Sequence, residues 1–203
     1  MLWFHGIPGA GKSVLFSYIV ENVTALCKTD YQDNSVCVYY YCYFGRNQDE
    51  STHLLRWVVG QLARHAKFIP GSISSLFELG QQPSNTVLTE AMAELSSYFS
   101  RIYLLLDGLD ESLQRKNLLH VLKSLADSRF DGIKTLAMSR EEPDIKVAMG
   151  DLAQAVSLSN PYVDEDIAMY VRNELAGNAR LRMYPTGLKE EIEAALAKGA
   201  EGM

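Results

Sequence analysis

Six residues into the chain stands Gly6-Ile7-Pro8-Gly9-Ala10-Gly11-Lys12-Ser13, and no other stretch constrains the fold as strongly. It matches GxxxxGK[ST], a pattern that requires an apolar strand before it and a helix behind it. Leu2–His5 supplies the strand, and Val14, Leu15 and Phe16 begin an apolar helix. The glycines permit backbone angles that a side chain would forbid. The loop's N–H groups then turn inward as a nest for an anion, backed by the positive end of the helix. The pattern predicts that Gly6, Ile7, Pro8, Gly9, Ala10, Gly11, Lys12, Ser13 and Val14 cradle the phosphates of a nucleotide. Lys12 reaches the β- and γ-phosphates and the Ser13 hydroxyl ligates Mg²⁺.

The rest of the 203-residue chain alternates strand-like and helix-like segments. A helix is expected over Lys12–Leu26, a polar turn over Lys28–Ser35 and a strand over Val36–Phe44. Helices follow over Ser51–Lys67, Ile73–Leu79 and Ser84–Phe99. A strand over Ile102–Leu106 ends in Asp107, and a helix covers Leu113–Asp127. Strands are expected at Ile133–Met138 and Ala155–Leu158. Strands separated by helical crossovers predict an α/β fold with a five-stranded parallel sheet and helices on both faces. After Asn160-Pro161 two amphipathic helices follow without a strand. Asp164–Ala176 would turn Ile167, Tyr170, Val171 and Leu175 inward, and Gly187–Lys198 would do so with Leu188, Ile192 and Leu196. Residues 1–160 thus read as a core domain and 161–203 as the start of a helical lobe. Trp3, Trp57 and the cluster Tyr39, Tyr40, Tyr41 and Tyr43 read as packing residues.

A phosphate loop of this kind needs an acid on a neighbouring strand. Ile102-Tyr103-Leu104-Leu105-Leu106-Asp107 provides it, with Asp107 at the C-terminal end where ligands bind in open α/β sheets. Asp107 is expected to hold Mg²⁺, and Gly108 to leave room beside it. Asp110 and Glu111 follow at once. Either one would orient or deprotonate an attacking water, or cap the next helix. Arg140, at the end of the fourth strand, would neutralise charge on the terminal phosphate or pair with Glu141 or Glu142 at the surface. Catalysis is thus expected to rest on Lys12, Asp110, Glu111 and Arg140.

The formal charge of −6 argues against broad electrostatic binding to nucleic acid or to an anionic membrane. No apolar run reaches the length of a membrane span, and no secretory leader is evident. Cys27, Cys37 and Cys42 fit no zinc spacing; Cys37 and Cys42, in an apolar run, read as buried thiols of a reducing compartment, which places the chain in the cytoplasm. The four histidines, His5, His53, His65 and His120, are scattered without ligand spacing.

LWFHGIPGAGKS, VYYYCYF, a helix containing Gly60-Gln61-Leu62, IYLLLDGLDE and LAMSR occur in that order. Together they resemble the NACHT NTPases, and more narrowly the nephrocystin-like NACHT modules of fungal NOD-like receptors. The resemblance implies a P-loop sheet of the additional-strand type in the order 5-1-4-3-2, which sets Arg140 beside Lys12 and Asp107. It implies a switch of the STAND class that binds ATP or GTP with Mg²⁺ and hydrolyses it slowly. Self-association or effector partners would act through regions outside this chain, since no effector domain, winged-helix lobe or repeat array is present. The chain therefore reads as a fragment of such a receptor. Two other readings stand beside it: a nucleotide-binding interaction module without useful hydrolysis, and a small-molecule P-loop kinase with an acceptor pocket and lid. Residue pattern alone does not separate ATP from GTP.

Overall fold

Four of the strands alternate so cleanly that each feeds two cores. In the computed structural model, which describes residues 1–29, 34–126, 130–158 and 161–199, β1 (Leu2–His5), β2 (Ser35–Tyr41), β3 (Arg101–Asp107), β4 (Ile133–Ser139) and β5 (Gln154–Ser157) form one sheet. The order is β2-β3-β4-β1-β5. All four pairings are parallel. This is the expected order. The side-chain period of two sends Trp3, Val36, Val38, Tyr40, Ile102, Leu104, Leu106 and Ala137 to one face. Phe4, Cys37, Tyr39, Leu105, Leu136 and Met138 go to the other.

The two faces are covered unequally. The first carries α2 (Glu50–Ala66), α4 (Asn85–Ser96), α5 (Arg115–Ser124) and α6 (Pro143–Gly150), which contribute Leu54, Leu55, Val58, Leu62, Leu88, Leu95, Leu118, Leu122, Ile145 and Met149. Against the second lies α1 (Lys12–Thr29), through Phe16 with Leu15, Ile19, Val20 and Val23 around it. The short α3 (Gly71–Glu78) connects α2 to α4. Local chemistry sets the helix starts. The Asp49 side chain accepts from the Ser51 N–H at the head of α2, and Ser84 from the Val87 N–H at the head of α4. Lys67, at φ 54°, ends α2.

Several boundaries differ from the sequence expectation. β2 stops at Tyr41 rather than Phe44, because its partner β3 ends at Asp107, and Phe44–Arg46 coil into a 3₁₀ turn. α4 ends at Ser96 rather than Phe99. α5 starts at Arg115 rather than Leu113, after a 3₁₀ turn over Leu109–Glu111. α6 was not expected as an element: it has eight residues and buries two, Ile145 and Met149. Its start is set by Pro143 in the first turn, where a missing N–H costs nothing.

Trp57 is exposed rather than in the core, and Tyr41 and Tyr43 also reach solvent. Beyond the sheet, α7 (Pro161–Gly177) and α8 (Thr186–Gly199) pack on each other. Leu175 is buried, whereas Tyr170, Leu188 and Leu196 are exposed, contrary to the inward stripes expected for them. Half of the polar turn at 28–35, the end of the helix expected to reach Asp127, the boundary at Asn160 and the tail from 200 lie outside the described residues. Among the described residues, no helix is long and apolar enough to cross a membrane.

Candidate functional site

The parallel sheet brings the C-terminal ends of β1, β3 and β4 together, and the loop that follows β1 closes over them. Gly9 and Gly11 take φ 79° and 73°, the left-handed region where a side chain is disfavoured. The first helical bond of α1 runs from the Leu15 N–H to the Gly11 carbonyl. Among the described residues, the N–H groups of Gly9, Gly11, Lys12, Ser13 and Val14 have no acceptor. Five free donors at a helix start form an anion nest. Gly6 packs tightly, since an added Cβ would stand 3.3 Å from Leu158 Cβ.

Lys12 folds back on its own loop, donating to the carbonyls of Gly6 at 2.9 Å and Ile7 at 2.7 Å. Burial pulls its ammonium below the usual lysine range; Asp110 opposes the shift and Arg140 adds to it. Ser13 Oγ donates to Asp107 Oδ2 at 2.7 Å. Asp107 is 5% exposed. Burial raises its carboxyl pKa despite hydrogen bonds from the Ser13 hydroxyl and the Gly108 N–H. These groups line a cleft of about 300 Å³ together with Pro8, Asp110, Glu111 and Arg140. Sequence reasoning on residues far apart in the chain thus named groups that the fold brings together. Val14 also lines this cleft, although 77% of its surface remains exposed.

The turn after β3 sharpens the roles of the acids. Neither Asp110 nor Glu111 caps α5, which is preceded by Gln114 in a left-handed conformation with no side-chain cap. Asp110 Oδ1 accepts from the Arg140 N–H at 2.9 Å, and its Oδ2 lies 3.3 Å from Arg140 Nε. Arg140 therefore pairs with Asp110, not with Glu141 or Glu142. Glu141 instead faces His5 and Lys146. Glu111 Oε2 accepts from the Phe44 N–H at 3.1 Å, just past the end of β2. Ser139 turns away from the cleft: it accepts from Trp3 Nε1 at 2.8 Å and donates to the Arg140 carbonyl.

Arg115 was missed by sequence reasoning. It donates to both Asp144 oxygens, at 2.8 and 3.1 Å, and to the Asp110 carbonyl at 3.3 Å. The guanidinium holds the Asp144 carboxyl below the usual carboxylate range. This brace ties α5, α6 and the acidic turn together. A basic residue at the start of a helix, where the dipole disfavours it, was the available signal.

Gly108 has a stricter reason to be glycine than room beside an ion. Its φ is +73°, and a Cβ there would sit 3.0 Å from the Cys42 carbonyl oxygen. Gly108→Ala should cost about 1–3 kcal/mol, the range for left-handed strain at a non-glycine residue, measured by denaturant unfolding. Gly60→Ala, in open space inside α2, should shift stability the opposite way by about 0.5–1 kcal/mol.

The sheet order, the glycine loop and the Asp107 position together define a P-loop NTPase fold. Residues 1–140 match the family described as nephrocystin 3, N-terminal, and the chain belongs to that family. Among solved structures, the Aeropyrum pernix ORC1 protein in complex with DNA is similar with a TM-score of 0.56 and 13% identity. The match covers 98% of this chain and 54% of that one, so this chain spans about half the length of its structural relative. At that identity the likeness concerns the fold. No curated protein sequence matches the chain.

Proposed function

We propose that the chain binds a purine nucleoside triphosphate with Mg²⁺ and hydrolyses it slowly, as the nucleotide switch of a NACHT-type STAND signalling protein. The observation that carries this reading is the meeting of Lys12, Ser13 and Asp107 at the mouth of a nest of free N–H groups. The donor set fits Mg²⁺. Ser13 Oγ and Asp107 Oδ2 are hard oxygen ligands already 2.7 Å apart. Asp107 is a nearly buried carboxyl, while Lys12 spends its hydrogen bonds on loop carbonyls. Ser13 and Asp107 would hold the ion, which supplies charge neutralisation at the phosphates.

The chain's own groups then divide the work. The loop N–H groups bind the phosphates, and Lys12 leaves the Gly6 and Ile7 carbonyls for phosphate oxygens. Arg140, half exposed beside Asp110, lies on the wall where the terminal phosphate would reach. Both candidate water-activating acids are engaged: Asp110 by Arg140, Glu111 by the Phe44 N–H. That engagement supports slow turnover. It also supports the second reading, an interaction module that binds nucleotide without useful hydrolysis. Calorimetric titration with ATP, GTP, ADP and GDP, with and without Mg²⁺, tests the binding step. A saturable, Mg²⁺-dependent triphosphate isotherm is expected, and no heat from any of the four would overturn the reading. Single-turnover hydrolysis then separates the two. Asp110→Asn or Glu111→Gln should slow it by about a hundredfold or more if that acid activates the water. Hydrolysis left intact in both variants removes the water-activation role.

A further inference from the structure

We propose that the free edge of the sheet, at Ser35–Cys37 of β2, is a docking site for an extended acidic peptide that adds to the sheet as a further strand. β2 is an outermost strand. Its even-numbered residues face β3, as the Cys42 N–H to Asp107 carbonyl bond and the Ser100 N–H to Asn34 carbonyl bond continue to show at either end. The odd-numbered residues therefore turn their backbone groups to the edge. At Tyr39 those groups are closed: the carbonyl accepts from Trp57 Nε1 at 2.8 Å and Gln61 Nε2 at 2.9 Å, and the N–H donates to Gln61 Oε1 at 3.5 Å. The Gln61 amide thus serves Tyr39 as a neighbouring strand would. At Cys37 no such partner stands among the described residues. Unpaired edge groups are the template for strand addition.

The edge lies at the floor of a groove of about 400 Å³ between α1 and α2. Cys27, Val36 and Cys37 give it an apolar floor, and Trp57 presents an indole fixed by its bond to Tyr39. Aromatic anchors of this kind supply most of the energy at small interfaces. Lys28, Arg64 and His65 also line it, exposed and without an ion pair among the described residues, and the described lining contains no carboxylate. In a chain with 25 acidic and 19 basic residues, a described lining of three basic residues and no acid departs from the average surface. The basic lining also decides between occupants. A second copy pairing β2 with β2 would set these cations against themselves, whereas an acidic strand is attracted to them.

The probe is a dye-labelled, acetylated hexapeptide alternating glutamate with valine, read by fluorescence anisotropy against the full chain. Its controls are the lysine–valine counterpart and the same acidic peptide N-methylated at alternate residues. The acidic peptide should bind, the basic one should bind at least tenfold more weakly, and N-methylation in the paired register should cost roughly tenfold. Combined Lys28→Glu and Arg64→Glu, both at exposed positions, should reverse the preference between the two peptides while leaving the melting temperature unchanged. Nucleotide titration of that double variant should be unchanged, which keeps this proposal separable from the nucleotide reading. Equal binding of both peptides, no binding of either, indifference to N-methylation, or a concentration-dependent dimer that the acidic peptide fails to dissociate would each overturn it.

Discussion

Lys12→Ala is expected to weaken triphosphate binding by about a hundredfold. The ammonium would contribute charge-assisted hydrogen bonds to phosphate oxygens, and losing about 3 kcal/mol of such contact corresponds to that factor. The fold should survive. Among the described residues Lys12 bonds only to the Gly6 and Ile7 carbonyls of its own loop, and the core cluster beneath α1 is centred on Phe16. Thermal unfolding of the free variant should therefore stay near that of the parent chain, while calorimetry shows the loss. An affinity that does not change would remove Lys12 from the site, whatever the loop's sequence suggests.

Asp107→Asn should do two opposite things. The parent carboxyl is buried, and burial raises its pKa. An acid with a raised folded-state pKa binds its proton more tightly in the folded chain than in the unfolded one. Its contribution to stability is then greatest at acid pH and is lost as pH climbs from the ordinary carboxylate range through the raised value. Above that range the apoprotein carries a buried charge that hydrogen bonds from the Ser13 hydroxyl and the Gly108 N–H only partly offset, and the asparagine variant does not. Without metal the variant should melt a few degrees higher at neutral pH, and this advantage should shrink on acidification. With Mg²⁺ and triphosphate present, only the parent chain should gain stability. Melting curves across that pH range, with and without ligand, check both halves. A variant that is less stable at neutral pH without metal would contradict the account of Asp107. Residues placed for a ligand commonly cost stability in its absence.

Local patterns were legible where chemistry and period agreed. β1 and the start of α1 follow from the glycine loop, and β3 from five apolar residues ending in an acid. Paired readings failed where the answer lay across the sheet. Asp110 and Arg140 are thirty residues apart in sequence, and nothing in either neighbourhood announces their ion pair. Glu111 is tied to a backbone N–H in the turn after β2, a partner that no side-chain pattern encodes. α6 escaped because eight residues with two inward positions give too little period to read. Trp57 reads from sequence as a packing residue, but its indole N–H reaches a strand-edge carbonyl and keeps the ring at the surface. Leu188 and Leu196 illustrate the same limit, since helical spacing reveals a stripe without revealing what covers it.

The short β1 has one more consequence, and it concerns time. Leu2 pairs with Leu136 on one side and with Gln154 on the other. The earliest of the five strands in sequence is thus flanked by the two latest. Contacts so remote in sequence carry a large loop-closure cost and slow folding. Until β4 and β5 are made, Leu2, Trp3 and Phe4 have no sheet to enter, and the glycine loop behind them has no floor. The phosphate nest is accordingly a late product of folding, and a chain stalled before β4 leaves the apolar β1 segment open to whatever chaperone is nearest.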